Sequence, residues 1–124
     1  MQHILYIAIG GAVGSVLRYL VSIGIHTLLG RSFPYGTLTV NVVGSFAMGV
    51  LYIILIERLS DSVELRAVIL IGLLGAFTTF STFSIETFNL LESGEHLKAV
   101  LNVLLSVVIC LLATWAGILI GRQL

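Results

Sequence analysis

The sequence predicts an all-α integral membrane protein with four spanning helices, the third broken near its middle. Three observations predict it. First, 58% of the 124 residues are hydrophobic and 10% charged, with a mean hydropathy of +1.14. A water-soluble domain of this size would leave far too much of that apolar surface in water. Second, charges and turn residues divide the chain into four apolar stretches, residues 4–29, 35–56, 66–91 and 97–120. Each is near or above the roughly 20 residues that a spanning helix needs. Third, the third stretch is interrupted at residues 72–84, GLLGAFTTFSTFS, where residues 77–84 are only Phe, Thr or Ser.

The first stretch has no basic leader and is too long for a signal-peptide core, so it counts as structure. It carries Arg18 near its middle. A charge at the centre of a bilayer costs about 2.5–3.5 kcal/mol on insertion scales, which makes Arg18 a functional candidate. Either it attracts anions at an aqueous vestibule, or it pairs with Glu86 of the third stretch. Residues 30–34 have loop chemistry and end in Pro34, the only proline. The second stretch contains Asn41, whose amide offers both donors and acceptors, either to a neighbouring helix or to an anion. Residues 57–64 form the most polar connector, where Ser60 or Asp61 is the expected cap of a short helix.

In the third stretch Phe77, Phe80 and Phe83 recur at period three, as do Thr78, Ser81 and Ser84. An α-helix cannot hold a period of three on one face unless it tightens or breaks, and Gly72 and Gly75 just upstream favour a break. A break frees carbonyls that bind cations, and N–H groups that bind anions beside hydroxyls and positive ring edges. After the connector at residues 92–96, the fourth stretch places Asn102, Ser106, Cys110 and Thr114 at intervals of four, a slanting polar stripe on one face. Small residues at i and i+4 (Gly10/Gly14, Gly11/Ser15, Ser45/Gly49, Gly117/Gly121) predict close helix contacts. The whole chain, residues 1–124, reads as one four-span membrane domain without internal repeat or low-complexity tract.

Several functions are excluded or disfavoured. The net charge is zero with no basic run, so nucleic-acid binding has no footprint. The single Cys110 leaves no internal disulfide and no cysteine metal cluster. No nucleotide motif and no nucleophile–base arrangement argues for an enzyme. Four spans put Arg58, Arg66 and Arg122 on one side and Arg31 and Lys98 on the other, almost no charge bias. Such balance lets a chain insert both ways and pair with an inverted copy of itself.

Together, residues 10–14 (GGAVG) with Arg18 and Tyr19, Gly36 and Thr37 with Asn41, Gly44 and Ser45, and residues 75–84 (GAFTTFSTFS) with Glu86 resemble the Fluc-type (CrcB) bacterial fluoride channels over the whole chain. The resemblance implies a fluoride-selective channel for passive export across the bacterial cytoplasmic (inner) membrane. It implies an antiparallel, dual-topology homodimer with two pores. Phe80, Phe83 and Asn41 would line the pore, Ser81 and Thr82 would supply hydroxyls, and Ser106 and Thr114 would belong to a polar track in which Asn102 and Cys110 are departures. It also implies a structural Na⁺ at the dimer centre on the backbone carbonyls of Gly75 and Thr78. The alternative is a small multidrug-type dual-topology transporter. That family needs an acid in its first span, where this chain has Arg18.

Overall fold

A computed structural model describes all 124 residues. Four long apolar helices run up and down: α1 (Gln2–Leu29), α2 (Tyr35–Arg58), α3 (Val63–Glu92) and α4 (His96–Gln123), each long and apolar enough to cross a membrane. The sharp reversals after α1 and α3 rest on glycine. Gly30 has φ 85° and Gly94 φ 78°, a region that side chains disfavour. Their N–H groups donate to the carbonyls of His26 and Leu91 and so use up helix-end acceptors. α2 runs to Arg58, past the residue 56 expected from composition, and α3 begins at Val63 after Ser62 with no side-chain cap. The end of α2 and residues Ala67–Leu74 of α3 are widened turns of the π type, as where the Leu59 N–H reaches back five residues to the Ile54 carbonyl.

Small residues decide which helices touch. α1 packs on the first half of α3, where a methyl on Gly10 would collide with the Val68 carbonyl and one on Gly14 with the Leu73 carbonyl. α2 packs on α4 in the same way, with Gly49 against the Thr114 carbonyl, Gly117 against the Phe46 carbonyl and Gly121 against Val50 and Ile53. In both pairs residue numbers rise together, so the helices of each pair run parallel. A seam of Leu55, Leu70 and Leu74 joins α2 to α3. In lipid, close approach of this kind takes the place of the hydrophobic drive that packs helices in water.

Only 23 of 124 residues are buried, and the outer faces of α1 and α4 carry rows of exposed Leu, Ile and Val. That surface suits lipid or another apolar helix. Nearly all charges sit at the helix ends. Arg58 donates to the Arg122 carbonyl at one end, and Lys98 donates to the Ser32 carbonyl at the other. Arg18 and Glu86 are the two charges set back from those ends.

The seams are testable. Gly117→Leu forces bulk against the α2 backbone and should cost about 1–3 kcal/mol or more, read as loss of monodisperse protein and a lowered thermal transition. Gly24→Ala, where nothing lies within 4 Å of an added methyl, should leave both unchanged.

Candidate functional site

Thr78 and Thr79 lie in the middle of α3 with extended backbone, φ −83°, ψ 157° and φ −151°, ψ 118°. The helix resumes at Phe80 and continues to Glu92. At this depth the displaced peptide groups need partners from protein. Asn41 supplies them from α2: its Oδ1 accepts from the Thr79 N–H at 2.8 Å, and its Nδ2 donates to the Thr79 carbonyl at 3.0 Å. One amide side chain thus brackets Thr79, satisfying both backbone groups of one residue. The Thr79 hydroxyl then caps the resumed helix, accepting from the Thr82 N–H at 3.2 Å and donating to the Thr82 hydroxyl at 3.1 Å.

These bonds leave the Gly75 and Thr78 carbonyls, like those of Ala76 and Phe77 between them, without their helical donors. The Thr79 N–H goes to Asn41 and not to the Gly75 carbonyl, and the Thr82 N–H goes to Thr79 Oγ1 and not to the Thr78 carbonyl. Gly75 is exposed. Backbone oxygens with spare lone pairs are the kind of donor that a hard cation takes.

Two cavities flank the extended pair, and a third adjoins one of them. An aromatic cavity of about 430 Å³ is lined by Asn41, Thr78, Thr79, Phe80 and Phe83, and on α4 by Ser106, Cys110 and Thr114. The Phe80 and Phe83 rings lie 5.2 Å apart, tilted by 51°. Phe83 is buried, while Phe80 stands 77% exposed at the cavity's open side. The Ser106 hydroxyl is buried with no hydrogen-bond partner. Thr114 donates across to the Ser45 carbonyl on α2.

A vestibule of about 410 Å³ lies on the other side of Thr79, lined by Arg18, Ser22, His26, Thr37, Thr82 and Glu86 among others. A mouth of about 220 Å³ follows, lined by His26, Arg31, Glu86, Asn89 and Ser93 among others. Neighbouring cavities share residues. Thr79 belongs to the aromatic cavity and the vestibule; His26 and Glu86 belong to the vestibule and the mouth. The three cavities therefore adjoin one another, with Thr79 between the aromatic cavity and the vestibule.

Most residues picked from sequence meet here, with some redistribution. Asn41, Phe80, Phe83, Ser106 and Thr114 share the aromatic cavity, whereas Arg18 and Thr82 line the vestibule. Ser81 lies beside the Thr79 hydroxyl, with their oxygens 3.4 Å apart. Arg18 and Glu86 share the vestibule without forming an ion pair. Asn102, at the start of the α4 stripe, is not on the aromatic cavity. It is 2% exposed and donates to the Thr87 hydroxyl at 2.8 Å, locking α4 to α3. Thr79 and His26 went unremarked in the sequence. A lone hydroxyl within a run of hydroxyls and a lone histidine near a helix end carry no periodic signal.

The fold and site define a four-span membrane protein with neighbouring cavities between its helices. The chain matches the family model described as CrcB-like protein, Camphor Resistance (CrcB), over residues 5–118. It is 54% identical over 124 residues to a Coxiella burnetii protein named fluoride-specific ion channel FluC, covering 99% of this chain and all of that one. A Geobacter sulfurreducens protein of the same name is 56% identical over the full length of both chains. The chain belongs to the CrcB family.

The bracket predicts a local effect. Asn41→Ala removes both bonds to Thr79, each worth about 0.5–1.5 kcal/mol net. Amide exchange at Thr79 and Thr82 should speed up by roughly tenfold or more, while exchange in α1 should stay as it was.

Proposed function

We propose that this protein is a fluoride-selective channel of a bacterial inner membrane, giving passive fluoride export and hence resistance, and that it works as an antiparallel homodimer with two pores. The observation that carries the reading is the pair of cavities that meet at Thr79, one lined by Phe80, Phe83, Asn41 and hydroxyls and the other by Arg18, Glu86 and hydroxyls. Kinship to proteins named as fluoride-specific channels at 54% and 56% identity over whole chains supplies the ion. The protein is a channel and not an enzyme.

Fluoride is small and strongly hydrated, so a path for it must offer donors in place of water. The unpartnered Ser106 hydroxyl is one such donor. The second Nδ2 hydrogen of Asn41 is another, since the structure uses only one on the Thr79 carbonyl. The edges of the Phe80 and Phe83 rings carry positive charge and supply weak contacts. The helix Phe80–Glu92 starts at the cavity with its positive end, which favours an anion there. No fixed cation lines the aromatic cavity, so each contact is weak, as conduction requires. Arg18 in the vestibule gathers anions before they reach this stretch. Ser81 and Thr82 support the path by fixing the Thr79 hydroxyl. An interior-negative potential drives an anion outward with about 2.3 kcal/mol per 100 mV, so no coupled energy source is needed.

The homodimer reading is supported by Phe80, which stands largely exposed beside a cavity open on one side, and by the near-absence of charge bias between the two ends. A second, inverted copy would cover that side. The Gly75 and Thr78 carbonyls, deprived of helical donors, would then hold Na⁺ together with their counterparts in the partner. When bound, the ion supplies a fixed positive charge that ties the two copies at the interruption of α3. A proton-coupled drug transporter is the weaker reading, because α1 holds Arg18 and no acid.

Reconstituted vesicles loaded with both halides should release fluoride and retain chloride, read with ion-selective electrodes. Absence of fluoride release contradicts the channel, and proton-coupled uptake of a cationic drug supports its rival. Phe80→Ile or Phe83→Ile should slow release by about tenfold, equivalent to roughly 1.4 kcal/mol of barrier, while the dimer persists; full flux in both variants removes the aromatic wall. Exchanging Na⁺ for a large organic cation at equal ionic strength should lower the dimer's thermal transition, and an unmoved transition contradicts the cation site.

A further inference from the structure

The resumed helix Phe80–Glu92 carries both rings of the aromatic cavity, yet the extended backbone at Thr78 and Thr79 cuts it off from the helix before it. A continuous α-helix passes its direction from turn to turn through its own hydrogen bonds. Across the extended pair that transmission is lost, so the direction of residues 80–92 has to be set by neighbours. Two asparagines contribute. Asn41 of α2 holds the start, through Thr79. Asn102 of α4 holds the helix beyond Phe83, where its Nδ2 donates to the Thr87 hydroxyl at 2.8 Å. This is the one side-chain hydrogen bond between residues 80–92 and another spanning helix.

The Thr87 hydroxyl passes the bond on. Its oxygen accepts from Asn102, and its hydrogen goes to the Phe83 carbonyl at 2.8 Å. Bonds linked in this way polarise and strengthen one another. Asn102 is 2% exposed and Phe83 8%, so the relay joins two buried residues. A threonine hydroxyl on the carbonyl four residues back also bends a helix, and here that carbonyl belongs to the residue whose ring stands 5.2 Å from Phe80. Neither Asn102 nor Thr87 lines the aromatic cavity, the vestibule or the mouth, so neither meets an ion there.

We propose that Asn102 is a positioning residue for the aromatic wall: through Thr87 it fixes Phe83 at the setting that passes fluoride and excludes chloride. The inference rests on the fluoride-channel reading above. A path that discriminates by size needs a wall that does not yield to the larger ion. With both holds made, Phe83 lies between two fixed points, one tied to α2 and one to α4. The period that puts Asn102 in line with Ser106, Cys110 and Thr114 thus conceals a division of labour. Those three line the cavity, while Asn102 holds the helix that carries its rings.

The test compares fluoride and chloride efflux from vesicles containing the full-length protein. Thr87→Val combined with Asn102→Leu replaces both partners by apolar groups of similar shape, an exchange that leaves stability nearly unchanged. This double variant should keep the wild-type thermal transition, while its fluoride-to-chloride rate ratio falls by about tenfold, the upper end of one hydrogen bond's net worth. Asn102→Leu alone should lower the ratio too, whereas Thr87→Ser, which keeps the hydroxyl, should leave it at the wild-type value. In protein labelled on its Phe rings, the Phe83 resonances should shift in Asn102→Leu while those of Phe33, in the first connector, stay in place. A wild-type ratio in the double variant or in Asn102→Leu, a Thr87→Ser ratio as low as the double variant's, or an unmoved Phe83 ring overturns the positioning role and leaves the channel standing. No fluoride release from the wild type overturns the channel reading and this inference with it.

Discussion

In the hydrocarbon core of a bilayer, every peptide group that leaves a helix must find its partner in protein, and the rest of this structure depends on how Thr79 meets that demand. Two hydrogen bonds to a single Asn41 side chain hold an extended peptide at mid-depth in α3. With those bonds made, the Thr79 hydroxyl is free to start a new helix, the carbonyls of Gly75 and Thr78 lose their helical donors, and cavities open on both faces of the chain. Without them, a stretch rich in Thr and Ser inside a membrane would be better off as continuous helix. The polar sequence of residues 77–84 is tolerated because the bracket and the cap absorb its displaced hydrogen bonds.

The glycine seams make the bracket possible. Asn41 reaches Thr79 only because α2 lies close to α3, and at Gly44 an added methyl would strike the Thr78 side chain. Gly49, Gly117 and Gly121 bring α4 close enough for Ser106 and Thr114 to complete the aromatic cavity. Packing and function thus draw on the same residues: small side chains replace apolar bulk with backbone contact, and the space so organised is left to polar groups. The cavities are graded along the chain of shared residues. Charged side chains line the vestibule and mouth, while the aromatic cavity combines hydroxyls, one amide and one thiol with Phe80, Phe83, Met48, Val107 and Leu111. That order suits an ion that is first attracted, then stripped of water by many weak contacts.

Much of this was legible in the sequence because membrane constraints are severe. Length and hydropathy alone mark four spans, and the spacing of Gly10 with Gly14 and of Gly117 with Gly121 marks the seams that the structure contains. Helix ends were less legible. α2 continues to Arg58 through a widened turn, and Ser62 rather than Ser60 or Asp61 precedes Val63, because apolar composition does not encode where the last turn relaxes. Asn102 joined the polar stripe by period but faces Thr87, since a period of four drifts around the helix over three turns. Partners far apart in sequence left no local trace. Asn41 and Thr79 are 38 residues apart, and His26 meets Gly36 only because the first connector folds α2 back along α1.

The central claim is that one side chain holds the path in shape. It is tested most directly by measuring fluoride efflux, chloride efflux and Thr79 amide exchange on the same preparation of an Asn41→Ala variant. The account predicts that loss of protection at Thr79 is accompanied by slowed fluoride release or by newly permitted chloride leak. Lost protection at Thr79 with both fluoride rate and chloride exclusion intact would contradict it.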